Sequence, residues 1–409
     1  WNLHLRCYEI LAEDEGLLRC NRLEQACLAA VYEMEDVGMA VDVGRLHLGL
    51  RQHEELLMQH RLALRQMLGF EVNPLSHEQV TSLLFEALGL LRPEPGDRSV
   101  RWSHRTGKLE LDAELLRSFK HPVADLVVAF RDLDKTRGVL EGLLTRQRDG
   151  VLHPSLLQHG ARTGRLACRD PNLQNLPRGS DVREALVHHP GRTMYLADWS
   201  QVEFRVFAHY ANDARLLEAY RTSSQTDFHQ WIADLVSIER TLAKTLNFAM
   251  LYGAGARKIA LILGRTYEEA RVIRDRYDAE LPSVWRLRKR VEQTVRARGY
   301  VRTWGGRRLY GERGREYKSL NHLVQGSAAD LAKASLPRVQ QALRPHGGRL
   351  LLTVHDEVLF DLPGEPGQRH AAALRDIRTA LTEGYDLRVP LLVEVSRAAP
   401  SWERKVSCD

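Results

Sequence analysis

Two groups of acidic residues stand where apolar runs end. In "YLADWSQVEFRVFAHY" (residues 195–210) a hydrophobic stretch stops at Asp198, and Glu203 follows inside what reads as a new helix. Far down the chain, "RLLLTVHDEVLFDLP" (349–363) sets His355, Asp356 and Glu357 between two strongly apolar β-runs. Aspartate is a common turn residue, which alone would account for Asp356. Three consecutive polar groups between such strands ask for more. Two aspartates brought to adjacent strand ends can hold two hard cations roughly 4 Å apart, one activating an attacking oxygen and the other stabilising the leaving one. Phosphoryl transfer needs that arrangement more than it needs a covalent nucleophile.

A second pattern suits the other reactant. In "ERTLAKTLNFAMLYGAG" (239–255), Arg240, Lys244, Phe248 and Tyr252 recur at every fourth position. On a helix each such step advances about 6 Å and turns about 40° beyond a full turn, giving a slowly spiralling stripe. Two cations followed by two aromatics match a nucleotide lying lengthwise, with phosphates at Arg240 and Lys244 and sugar and base at Phe248 and Tyr252. Ordinary surface charges on an amphipathic helix would explain the cations. However, Leu242, Leu246, Ala249 and Met250 already supply apolar residues elsewhere around that helix, and Gly253 and Gly255 stop it.

These residues need a frame. Residues 1 to about 30 read as a leading helical segment in which "LAEDEG" marks a helix end. A long amphipathic helix starts near Gly44, with Leu46, Leu50, Leu57, Leu64 and Leu68 on one face and Gly69 closing it. Ser76 and Gln79 carry a capping-box signature, and Gly89 ends the helix they open. Helical pattern resumes from Leu111 to about Leu144. The polar stretch "HGARTGRLACRDPNLQNLPRGSDVREALV" is a long loop, kept from disorder by Leu166, Leu173, Leu176 and Leu186. "TMYLAD", the hairpin at His355–Asp356 and "VPLLVEV" supply strands, separated by a large helical insertion. The pattern predicts an α+β fold: an antiparallel-sheet palm with helical subdomains hung on it.

Composition sets the limits. The chain has 409 residues, 44% hydrophobic and 27% charged, enough for two or three subdomains, and no apolar run approaches a membrane span. Its five cysteines are odd in number and form no C-x-x-C, which fits reduced thiols in a cytoplasmic setting. Net charge is +6, and 50 of the 59 basic residues are arginine. That bias fits a phosphate-bearing partner, although GC-rich coding would produce it as well.

Taken together, "TGRLACRDPNLQNLP", "DWSQVEFR", "RTLAKTLNFAMLYG", "VQGSAADLAK" and "VHDEV", in that order, resemble the polymerase region of the DNA polymerase I family (family A) over nearly the whole chain. The resemblance implies a right-hand polymerase. Its parts would be a leading segment at 1–30 (the tail of an upstream exonuclease-type domain), a thumb at 31–145, a first palm part at 146–208, fingers at 209–320 and a second palm part at 321–409. It also implies a template-directed enzyme that adds deoxynucleoside triphosphates to a primer end as a monomer on primed DNA, in replication or repair. Asp198 and Asp356 would hold two Mg²⁺ ions, for which Mn²⁺ can substitute, with Glu357 an auxiliary carboxylate. Arg240, Lys244 and His229 would grip the triphosphate, Lys244 also serving catalysis, while Phe248 and Gln201 lie by the nucleotide and Tyr252 near the templating position. Glu203 would be the steric gate that leaves no room for a ribose 2′-hydroxyl.

For the DNA, the resemblance implies contacts from Arg165, Asn172, Gln174, Asn175, Arg205, Asn321, Gln325 and His355. Minor-groove acceptors are shared by all Watson–Crick pairs, so such donors can read pair geometry without sequence. Arg131, Lys135 and Arg137 fall in the thumb near the duplex backbone, or on a solvated helix face.

Several features depart from the family pattern. Trp199 replaces a tyrosine, Ala249 a glycine, and the span from His229 to Arg240 is shorter than in bacterial members, which puts His229's role in question. No early carboxylate set is present for a proofreading site, and the resemblance of the first thirty residues to a domain tail implies a longer natural chain. Two rival readings remain: a single-subunit RNA polymerase, which Glu203 argues against, and a catalytically inactive DNA-binding remnant, which the joint presence of Asp198, Asp356, Arg240 and Lys244 argues against.

Overall fold

The structure, a computed structural model, describes residues 2–97, 100–222, 227–251 and 253–408. Its elements of interest are helices α1 (Glu15–Val37), α2 (Val43–Leu68) and α3 (Pro122–Arg146), strand β1 (Arg192–Trp199), helices α4 (Val202–Ala211), α5 (Phe228–Val236), α6 (Arg240–Leu251) and α7 (Ser319–Leu343), and strands β2 (Arg349–Val354), β3 (Glu357–Pro363), β4 (Val393–Ala398) and β5 (Lys405–Ser407). The five strands form one antiparallel sheet in the order β5-β4-β1-β3-β2. The fold is α+β, as the separated strands predict.

In β1, Met194, Tyr195, Leu196 and Ala197 are each at most 1% exposed. An unbroken apolar run of this kind marks a strand covered on both faces. Helices α1 and α7 lie against β2, and the helix Gln368–Thr382 lies against β4. Burial lapses at the strand's end, where Asp198 is exposed. Trp199, the departure from the family pattern, is buried and donates its indole N–H to the Leu381 carbonyl at 2.9 Å, so it anchors the end of β1.

The helix ends follow local chemistry. Asp42 caps α2 and Gly69 closes it at φ +77°, a left-handed turn that glycine makes without strain. Two expectations need correction. Gln79 bonds the Asn73 N–H instead of reaching back to Ser76, so the capping box does not close. The helical span from Leu111 is split into Ala113–Ser118 and α3, because Pro122 lacks an N–H and starts a new helix at its first position. This region carries a small core of its own, including Val80, Leu84, Leu116 and Val127, apart from the main core.

The expected subdivision at residue 30 falls inside α1, and those at 208 and 320 fall inside α4 and α7. The leading segment is tied into the body. Asp14 caps α1 through the Leu17 N–H and takes both Nη atoms of Arg302 at 2.6 and 2.7 Å. Glu24 accepts from the buried Lys333 Nζ at 2.7 Å. Among the described residues no helix is long and apolar enough to cross a membrane.

Candidate active site

The hairpin between β2 and β3 turns on two residues, His355 at φ +59° and Asp356. The Trp199 N–H donates to the Asp356 carbonyl at 3.2 Å, which pins the turn to the end of β1. Cross-strand register then sets Asp198 directly opposite Glu357 on one side and Glu394 on the other. Directly opposed residues in an antiparallel sheet point to the same face, so Glu394, Asp198 and Glu357 form one acidic row with Asp356 beside it. Lys405 pairs with Glu357, which also accepts from the Trp402 indole at 3.3 Å.

The row is short of positive charge. Asp198 is pushed from 3.8 up to about 7, first by partial loss of hydration at the sheet corner and then by Asp356 and Glu357, with Lys405 opposing. Asp356 is also raised, chiefly by burial. Among the described residues no three metal-ligating side chains form a ready cage. The donor set nevertheless fits hard divalent cations, which prefer carboxylate oxygens and keep several waters.

Helix α4 begins just past this corner. Gln201, at φ +53°, turns the chain into it, and Glu203 sits in its first turn. Glu203 is 15% exposed and accepts from Arg165 Nη2. Burial raises its pKa against the pull of Arg165. The next residue, Phe204, stands edge-on to Phe248 of α6 with ring centroids 5.0 Å apart. This contact brings the α6 stripe alongside Glu203. Arg240 and Lys244 are exposed, Phe248 is half-buried, and Ala243, Leu246, Ala249 and Met250 hold the opposite side in the core. Tyr252 lies outside the described residues.

The remaining expectations divide. Arg165, Gln174 and His355 line one small crevice with Ala329 and Ala332 of α7. Asn175 is exposed, whereas Asn321 and Gln325 are half-buried on α7, and the Asn321 side-chain oxygen is buried with no partner among the described residues. Asn172 is exposed and accepts from the Gln174 N–H, which is a local turn bond. The Gln174 side chain is buried and donates to the Thr353 carbonyl at 2.9 Å.

Arg205 is not a DNA contact in this arrangement. It is 1% exposed, donates to the Ser200 and Pro390 carbonyls at 2.8 and 2.7 Å, and lies over the Tyr220 ring. His229 is 4% exposed, edge-on to Phe204 and bonded to Asn247, and burial lowers its pKa to about 4. A neutral imidazole brings a triphosphate no positive charge and at most its one N–H, and here the ring is packed against Phe204 and almost closed to solvent. Arg131 donates to the Pro74 and Leu111 carbonyls and braces the helices. Arg137 is paired within its own helix to Asp134 and Glu141, while Lys135 is exposed.

Three participants escaped sequence reasoning. Glu394 belongs to the acidic row; the alternation in Val393-Glu394-Val395 puts it on the face opposite the valines. Lys405 carried no local signal. Asp227, which pairs with Arg240 at 2.6 Å, had a weak one, an aspartate placed just before an apolar helix start.

Comparison with known proteins adds an independent line. The model of DNA polymerase family A matches residues 49–404. The chain is similar to the thermostable DNA polymerase I of Thermus filiformis, with 33% identity over 397 residues, covering 91% of this chain and 47% of that protein. It is also similar to DNA polymerase I of Treponema pallidum, with 32% identity over 419 residues, covering 95% of this chain and 41% of that one. Thus the chain spans about half the length of the curated relatives it matches. Among solved structures, the POL domain of Pol1 from M. smegmatis, in complex with DNA primer-template and dNTP, superimposes with a TM-score of 0.86 at 31% identity, covering 96% of this chain and 72% of that one. The order of motifs, the five-stranded palm with its acidic row and the reach of the family match agree: the chain belongs to DNA polymerase family A.

Proposed function

We propose that this chain extends the 3′ end of a primer on a DNA template, taking deoxynucleoside triphosphates and releasing pyrophosphate. The observation that carries this reading is the convergence of the under-neutralised carboxylate corner with the exposed cations of α6, joined through the Phe204–Phe248 contact beside Glu203. Asp198 and Asp356 would hold divalent cations, Mg²⁺ in the cell and Mn²⁺ as a substitute, which supply activation of the attacking 3′-oxygen and neutralisation of phosphate charge. Arg240 and Lys244 present N–H donors along one helix face to the triphosphate, and Lys244 can pass a proton to the leaving oxygen. Phe248 offers an apolar edge to the sugar. Glu203 fills the space a 2′-hydroxyl would need. Arg165 and His355, in one crevice, suit the primer end. One chain carries every part, so a monomer suffices, and its five cysteines, none in a disulfide, fit a reducing compartment.

Primer extension on a primed DNA template tests the reading. With Mg²⁺ and deoxynucleotides the primer should lengthen by template-directed steps, and with ribonucleotides it should barely move. Equal use of both sugars would favour an RNA polymerase. No extension under any divalent metal, with tight DNA binding retained, would leave a DNA-binding remnant.

A further inference from the structure

Asp227 lies outside every motif that carries the family resemblance, yet it joins the two halves of the site. Its Oδ2 accepts from Arg240 Nε at 2.6 Å. Its Oδ1 accepts from the backbone N–H of His229 at 2.9 Å, the N–H of Gln230 at 3.3 Å and Gln201 Nε2 at 3.3 Å. Gln201 is the left-handed residue that turns the chain between Asp198 and Glu203. A single carboxylate therefore links the carboxylate corner to the cationic stripe. We propose that Asp227 is a positioning residue that holds Arg240 in the orientation the triphosphate requires. The inference rests on the reading of Arg240 as a phosphate ligand.

The geometry favours positioning over mere stability. Both side chains are partly open, at 48% and 30% exposure, and ion pairs of that kind add little to folding. What the pair does is immobilise a long, rotamer-rich side chain before substrate arrives, so that its ordering no longer opposes binding. The bond is made through Nε. Both Nη atoms, the pair that suits phosphate oxygens in a two-pronged grip, are left without a partner among the described residues. The carboxylate itself cannot swing away easily, because two backbone N–H groups at the start of α5 hold it.

An opposite reading is that Asp227 competes with phosphate for Arg240 and must be displaced. The two readings predict opposite signs, and one substitution separates them. Asparagine caps a helix as well as aspartate does, so Asp227→Asn keeps α5 capped and removes the charge. The measurement is single-nucleotide insertion on primed DNA, giving KM for the deoxynucleotide and kcat, with DNA affinity and melting temperature alongside. Asp227→Asn should raise KM by roughly three- to tenfold, with smaller changes in kcat and none in DNA affinity or melting. Placed on Arg240→Ala, which should raise KM by itself, it should add nothing further. An unchanged or lowered KM for Asp227→Asn beside a raised KM for Arg240→Ala overturns the inference and leaves Arg240 as a phosphate ligand. If Arg240→Ala itself leaves KM unchanged, the reading of Arg240 fails and the role of Asp227 falls with it.

Discussion

Glu357 and Asp361 occupy the same face of the same strand, yet the sheet treats its two ends in opposite ways. Asp361 is fully buried and takes Arg192 Nη2 at 2.8 Å and Arg349 Nη2 at 2.5 Å, so two guanidiniums surround one carboxylate. At the other end Glu394, Asp198, Glu357 and Asp356 gather around the turn, and Lys405 pairs with Glu357. Among the described residues no ion pair reaches Asp198, Asp356 or Glu394. A buried carboxylate that serves only the fold must be matched by cations from the chain itself. A corner left with excess negative charge is built to be completed from solution. The same strand thus separates a carboxylate matched within the fold from the carboxylates proposed to hold the metal ions.

The contrast breaks most visibly in catalysis. Removing a metal ligand takes away several kcal/mol of transition-state stabilisation, and each ~1.4 kcal/mol is tenfold in rate. Asp356→Ala should bind primed DNA but extend it at least about a thousandfold more slowly. Near-native extension by this variant in a primer-extension time course would remove the corner from the mechanism.

Glu203 is the intermediate case, a largely buried carboxylate with one arginine partner. Overpacking a ribose hydroxyl against it would cost a few kcal/mol, a discrimination of hundreds. Glu203→Ala should therefore raise ribonucleotide over deoxynucleotide incorporation by about two orders of magnitude, read from single-nucleotide insertion with both sugars. An unchanged ratio would make Glu203 an ordinary helix carboxylate, with Arg165 its structural partner.

At the distal end the expectation inverts. Asp361→Asn strands two arginines against the sheet, where breaking a buried pair typically costs about 3–5 kcal/mol. Because Arg192 and Arg349 retain 18% and 34% exposure, water recovers part of that. Urea unfolding should show a loss of about 2–3 kcal/mol at constant m-value, with extension per folded molecule unchanged. A fall in rate without a fall in stability would erase the distinction between the two ends.

How much of this was legible in the sequence follows from what each feature depends on. The hairpin at His355–Asp356, the α6 stripe and the closing glycine of α2 are local, so spacing and turn chemistry were enough. The partners were not local. Asp227 reaches Arg240 across thirteen positions, and Lys405 reaches Glu357 across 48. Nothing in the spacing of Arg205 warned that carbonyls of Ser200 and Pro390 would consume its guanidinium, since helix periodicity does not show which chain segment crosses the helix. The burial of His229 is equally non-local: it is decided by Phe204 and Phe248, which come from two other helices.

The smallest expected effect sharpens the comparison through pH. In the absence of divalent metal, Asp198 titrates near 7 instead of 3.8, held up by its partial desolvation, then by Asp356 and Glu357. Between those two values the folded protein keeps a proton that the unfolded chain has released. Stability must therefore fall as pH rises through that window, with the loss complete above about 7. Asp198 remains open to water, so the slope is shallow. Melting temperatures in a chelator at pH 5 and pH 8 would read it, with two variants as internal controls. Wild type should lose more between the two pH values than Asp198→Asn, in which the titrating group is gone. Asp361→Asn should melt lower at both pH values but keep the wild-type difference, because its carboxylate belongs to the matched end. If Asp198→Asn kept the full wild-type slope, the acidic row would not be short of positive charge, and the two ends of the sheet would be electrostatically alike.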